Sequence, residues 1–309
     1  MQTLCAQDVE DVESVRVEKS VCSQEDGQQE GLFQQDPLCL EGYERTRLVV
    51  GDVAREPWGV LMKPDVANVN CAPELSPPPL PEASTLDADE RAALLAAGDE
   101  IRECYRVLER GGLNVVGEIL RGQGEFVEYE HYPRDEVGDA DSRGQYYYHA
   151  HRDDTTEHGH FHTFIRTGLL DEPPAPYAAM RVDEAWPEGR EAIAHLVAIA
   201  MDDWGYPVAL FTTNRWVTGE TWYPAPVVAD LASRFCIDHA NPSWPVNRWI
   251  TAMLRLFRPH IDALLTHRDA AIEAWQQALP GRDVFEDRQL EVIGYLPVDV
   301  EAWLAELRA

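Results

Sequence analysis

Lysine is nearly absent from this chain: Lys19 and Lys63 are the only two in 309 residues. With arginine they make 26 basic side chains against 55 acidic ones, a formal net charge of −29. Such a surface repels phosphate backbones and anionic lipid, because the attraction that drives non-specific nucleic-acid binding has the wrong sign. The expectation is no nucleic-acid partner. The acidic excess runs along the whole chain rather than sitting in a tail, which favours solubility. No apolar run approaches the ~20 residues of a membrane span. Residues 1–13 have neither the basic start nor the apolar stretch of a signal peptide. No membrane partner and a cytoplasmic location are therefore expected.

The six cysteines (Cys5, Cys22, Cys39, Cys71, Cys104, Cys236) form no C-x-x-C pair and read as reduced thiols. Also missing are G-x-S-x-G, a P-loop, G-x-G-x-x-G after a strand, and H-E-x-x-H. No standard nucleophile, nucleotide or zincin motif supplies a function.

Residues 1–85 read as a mostly disordered acidic arm, rich in Gln, Glu and Asp and poor in aromatics. The arm includes a short strand at 47–51, an apolar segment at 57–62, and a polyproline linker at 76–81. Residues 86–309 read as a single domain. A helix capped by Asp87 or Asp89 runs through Leu94, Leu95, Ile101, Tyr105 and Leu108 and stops at Gly111-Gly112. Strand-like runs follow at 125–132 (ended by Pro133), 145–152, 159–166, 194–202 and 208–213. Helices are expected at 226–235 and 245–277, the latter interrupted at Pro259, then a strand at 290–296 and a helix at 300–307. The pattern is α+β: a largely antiparallel sheet, free to curl, that carries a His-rich hairpin, with helices before and after it.

Ten histidines are present, and five lie between positions 149 and 162. Side chains alternate across a strand, so His149 and His151 share a face, as do His158, His160 and His162. If Arg152 pairs with Glu157 across a loop of Asp153, Asp154, Thr155 and Thr156, His149 faces His160, His151 faces His158 and Tyr147 faces His162. Directly paired residues have Cβ atoms ~5 Å apart, which suits imidazoles converging on an ion at ~2.1 Å. Imidazole ligation points to a divalent transition metal, iron or zinc foremost, and away from Mg or Ca. The expected ligands are His149, His151 and His160, with His158 and His162 as alternates or supporting residues. Asp153, Asp154 and Glu157 stand near enough to accept from a ligating imidazole, and Glu157 could itself ligate. Tyr147 and His195, with Glu157, are the candidate catalytic groups. His131, beside Tyr132-Pro133, is a further histidine at a strand end, where a satisfied structural residue is the commoner case.

Asn214-Arg215-Trp216-Val217-Thr218 is echoed by Asn247-Arg248-Trp249-Ile250-Thr251. Read functionally, Asn214, Arg215 and Trp216 form a substrate clamp: a guanidinium fork for a carboxylate and an indole wall for an apolar body. Read structurally, Arg215 and Arg248 are internal ion pairs and the tryptophans are core.

The strings at 145–166 (QYYYHAHRDDTTEHGHFHTFIR), 210–224 (LFTTNRWVTGETWYP) and 243–251 (SWPVNRWIT) resemble an uncharacterised bacterial family classed as a domain of unknown function. The resemblance covers roughly residues 88–309. It implies a domain boundary and no particular reaction. The chemistry rests on the histidines, which point to a metal-dependent enzyme acting on a small molecule. A non-haem iron oxidoreductase leads, with a zinc hydrolase or hydratase, or a non-catalytic metal sensor or buffer, as alternatives.

Overall fold

The structure, a computed structural model, describes residues 76–150, 157–179 and 182–309. All of them belong to the compact unit Pro57–Ala309; a second unit, Met1–Glu56, lies outside the described residues. Outside them too are the expected strand at 47–51, the segment 57–62, Cys5, Cys22, Cys39 and Cys71, and the hairpin loop with His151, Asp153 and Asp154.

Helix α1 (Ala88–Arg110) starts at a reciprocal cap. The Asp87 carboxylate accepts from the amides of Asp89 (2.9 Å) and Glu90 (2.8 Å), and the Glu90 carboxylate accepts from the Asp87 amide (3.0 Å). Amides without a helical partner are thereby satisfied. Gly111 closes the helix, and Gly112 turns the chain with a φ of +70°, which glycine adopts without a Cβ penalty. A short helix α2 (Val115–Leu120) follows, capped by the Asn114 side chain. Six residues are too few to show helical periodicity, so sequence reading passed over it.

Six strands come next and pair in chain order, all antiparallel: β1 (Tyr132–Gly138), β2 (Gly144–His149), β3 (Gly159–Ile165), β4 (Ala194–Met201), β5 (Pro207–Thr213) and β6 (Val292–Pro297). The sheet is an open meander. Between β5 and β6 run α3 (Arg215–Thr218), α4 (Ala225–Arg234), α5 (Trp244–Leu256) and α6 (Arg258–Ala278), and α7 (Val300–Arg308) ends the chain. The fold is α+β, with helices before and after the strands. Pro245 and Pro259 sit in the first turns of α5 and α6. There a missing N–H has no helical partner to lose, so the expected interruption is a helix start. No helix among the described residues is long and apolar enough to cross a membrane.

The strand expected at 125–132 does not form; β1 begins at Tyr132 instead. Its edge position is the reason. With a neighbour on one side only, the strand accommodates Pro133, which has no N–H to give to a ladder. The ladder is broken by a bulge between Tyr132 and Val137, where Glu136 takes a φ of +55°.

Alternation divides the sheet into two unlike faces. Tyr146, Tyr148, Phe161, Val197, Ile199 and Leu210 point into one large core with the apolar faces of α1 and α4 to α7. The opposite face carries Tyr147, His149, His160 and His162, and continues across β4 and β5 with Ala198, Ala200, Ala209 and Phe211. Every residue of β4 is buried, as expected for a central strand apolar on both faces.

Candidate metal centre

In the β2–β3 pair His149 stands opposite His160 and Tyr147 opposite His162, the register expected from an even hairpin loop. His160 and His162 lie two residues apart on β3 and so share that face. One donor atom each from His149, His160 and His162 can be chosen so that all three lie within 4.8 Å of one another. The residues are 9 %, 1 % and 1 % exposed. Three buried imidazoles this close are compatible with metal binding.

The ring nitrogens are held by identifiable partners. Nε2 of His149 and Nε2 of His160 are 2.8 Å apart. Two lone pairs repel at that separation, so a proton or a cation lies between them. On its other side His160 Nδ1 is 3.1 Å from Glu157 Oε1. A carboxylate there takes the Nδ1 proton and leaves Nε2 as the electron-pair donor. His162 Nδ1 is 3.0 Å from Nε2 of His195. Burial, with smaller effects from the charges of Arg268 and His160, pushes His195 down to about 3. His195 is therefore neutral, and its Nε2 would accept the His162 Nδ1 proton when His162 keeps its Nε2 lone pair for a metal. The His195 amide donates to Glu220 Oε2 (2.6 Å), and burial pushes that carboxyl up to about 7 against the charge of Arg268.

Small side chains flank the rings. Ala200 pairs with His160 and Ala198 with His162 on β4, and Phe211 packs edge-on against His160 at 5.1 Å between centroids. Tyr147 lies 5.4 Å from His149 and 5.3 Å from His162 by ring centroids. Burial foremost, then the charge of Glu136, raises its phenol, which stays protonated.

The remaining expected site residues are placed elsewhere. His158 precedes β3 and escapes its alternation; its Nδ1 meets the Tyr148 hydroxyl at 2.5 Å and its ring packs on Phe126. It does not join the triad. His151 lies outside the described residues. Glu157 and His195 back two of the three histidines rather than standing apart as separate acid–base groups. The expected clamp is taken up internally. Arg215 is ion-paired with Glu286, Asn214 caps α3 and donates to the Val284 carbonyl (2.8 Å), and Trp216 Nε1 donates to the Leu290 carbonyl (2.9 Å). Its echo is no structural repeat: Asn247 lies inside α5, accepting from the Tyr146 hydroxyl (2.6 Å), and Arg248 pairs with Glu100.

Sequence reasoning undervalued His162 and missed Glu136 and Glu220. The signal for His162 was available in the spacing: it is the neighbour of His160 on one strand face. Glu220 was not legible, because it reaches the site through a backbone amide 25 residues away.

No curated protein and no solved structure matches the chain significantly. A family model does match residues 95–298, from α1 to the end of the sheet, and the chain belongs to the family it describes, Domain of unknown function (DUF6969).

Proposed function

We propose that this protein is a metal-dependent enzyme acting on a small molecule, with His149, His160 and His162 holding one divalent transition metal. The observation that carries the reading is the convergence of three buried imidazole donors within 4.8 Å. Imidazole ligation suits iron, zinc, copper or nickel. Iron is favoured, because three nitrogen donors leave half of an octahedral shell open for dioxygen and an organic substrate. The reading is a non-haem iron oxidoreductase.

A zinc hydrolase or hydratase is the second reading, and the Glu157–His160 contact favours it. A carboxylate on the far nitrogen is the usual support of a zinc-bound imidazole, and zinc lowers the pKa of its water. A metal buffer fits less well, since donors this buried exchange slowly with solvent.

The test is metal content of untagged full chain purified without chelator, with His149→Ala/His160→Ala as control. One equivalent of iron that oxidises in air supports the first reading, and one equivalent of firmly held zinc the second. Equal metal in wild type and control contradicts both.

A further inference from the structure

The β3–β4 ladder slips by one residue beside His195. From Gly159–Met201 to Thr163–Val197 the partners run in step; the next pair is Phe164–His195, so Leu196 has no partner opposite. One extra residue reverses the alternation beyond it. Straight alternation from Ala200 and Ala198, which stand across from His160 and His162, would turn His195 into the core with Ile199 and Val197. With the bulge, Leu196 and Val197 both lie in the core, and His195 crosses to the histidine face. There its ring packs on those of His162 (5.0 Å between centroids) and Phe164 (5.2 Å), and its Nε2 lies 3.0 Å from His162 Nδ1. Two buried side chains stitch the bulge. The Thr163 hydroxyl donates to the Val197 carbonyl (2.7 Å), and Glu220 Oε2 accepts from the His195 amide (2.6 Å). The segment that carries Glu220 is itself laid along the chain entering β4. The Thr221 amide donates to the Ile193 carbonyl (2.8 Å) and the Thr221 hydroxyl to the Pro187 carbonyl (2.7 Å). A carboxyl accepts an N–H through oxygen whether ionised or protonated, so this contact does not depend on the charge of Glu220.

We infer that Glu220 is a positioning residue of the metal centre: by holding the amide of the β4 bulge it keeps His195 turned to His162. The inference rests on the metal reading of the triad and extends it to a residue that acts through a backbone amide. A buried amide left without an acceptor is costly. Loss of Glu220 therefore favours any rearrangement that pairs this amide again, and straightening the ladder is one that turns His195 away from His162.

The experiment measures zinc affinity of the full chain by competition with a chromophoric chelator. Alongside it, nitrogen-15 NMR of the histidine rings in the metal-free chain reads the coupling across the His195–His162 hydrogen bond. Glu220→Leu, similar in size but without an acceptor, should weaken zinc binding by about tenfold or more, the scale of losing a ligand's outer partner. Glu220→Gln keeps an oxygen for the amide and should stay within about twofold of wild type. Because Glu220 acts through His195, Glu220→Leu/His195→Phe should bind no more weakly than His195→Phe alone. Lower stability of Glu220→Leu with unchanged affinity overturns the inference, as do additive losses in the double variant. If Glu220→Leu does not fold, Thr163→Val decides: removing the other stitch should weaken zinc binding severalfold, and unchanged binding overturns the inference. A wild type that binds zinc no better than His160→Ala overturns the metal reading instead. The NMR coupling then still tests the positioning: it should be lost in Glu220→Leu and kept in Glu220→Gln, and its survival in Glu220→Leu overturns it.

Discussion

His149 and His160 face each other across the β2–β3 ladder with their Nε2 atoms 2.8 Å apart. That contact exists because 149 and 160 are cross-strand partners, and because Glu157 turns the His160 ring by holding its Nδ1. It brings two electron-pair donors to a separation that only a bridging proton or cation relieves. His162, next on the same strand face, completes the donor set, and His195 orients it.

The outer partners should matter nearly as much as the donors. Glu157→Gln and His195→Phe each remove the group that fixes a ligand's tautomer, so each should weaken metal affinity by about 10- to 100-fold. His158→Ala should change it by less than about twofold, because His158 is turned to Tyr148. Zinc competition titrations on the three variants check this.

Arg215 is a structural residue on this account. Arg215→Ala leaves the Glu286 carboxylate, already raised by burial, without its cation. Breaking such a pair costs about 3–5 kcal/mol. Urea unfolding should show that loss with metal affinity unchanged; a stable variant with impaired ligand binding would restore the clamp.

The glycine in His158-Gly159-His160 is required sterically. A Cβ there would lie 2.6 Å from the His149 carbonyl oxygen and 2.6 Å from the Tyr148 hydroxyl. A backbone oxygen in the ladder cannot swing away, so Gly159→Ala should cost about 1–3 kcal/mol. Thermal unfolding measures it, and a loss below about 0.5 kcal/mol would mean that the hairpin yields there.

Three buried groups set a pH dependence in the metal-free chain. Burial pushes His260 down to about 4, and His195, also chiefly through burial, down to about 3, while it pushes Glu220 up to about 7. Between pH 4.5 and 6.5 the unfolded chain carries protons on both histidines that the folded chain lacks. The folded chain keeps one on Glu220 that the unfolded chain has lost. Each lowered histidine adds stability as pH rises through this window, and the raised carboxyl removes it. The net is one proton more in the unfolded state, so these groups make stability rise by about 1.4 kcal/mol per pH unit. Relative to wild type, His260→Phe should flatten the slope by that amount and Glu220→Gln should steepen it. Urea midpoints at pH 5 and 6 check both signs.

Much of this was legible in the sequence, and the exceptions have physical causes. The α1 cap, the helix starts at Pro245 and Pro259, and the β2–β3 register followed from local rules: capping, proline position and the two-residue period of a strand. The β1 error came from reading Pro133 as a terminator without knowing that the strand lies at an edge. His158 went astray because alternation binds only residues inside the strand. Arg215 and Glu220 are decided by Glu286 and His195, partners distant in sequence that no local pattern reveals.

The most direct test of the metal centre is an equilibrium titration of the full chain with zinc at pH 7.5, repeated at pH 5.5, beside His160→Ala and His162→Ala. Wild type should bind one equivalent tightly, and either variant should bind more weakly by orders of magnitude. Wild type should also bind more weakly at pH 5.5, because protons compete with the metal for the imidazole electron pairs. Binding by both variants as tight as in wild type, or wild-type binding insensitive to that pH change, would contradict the metal reading.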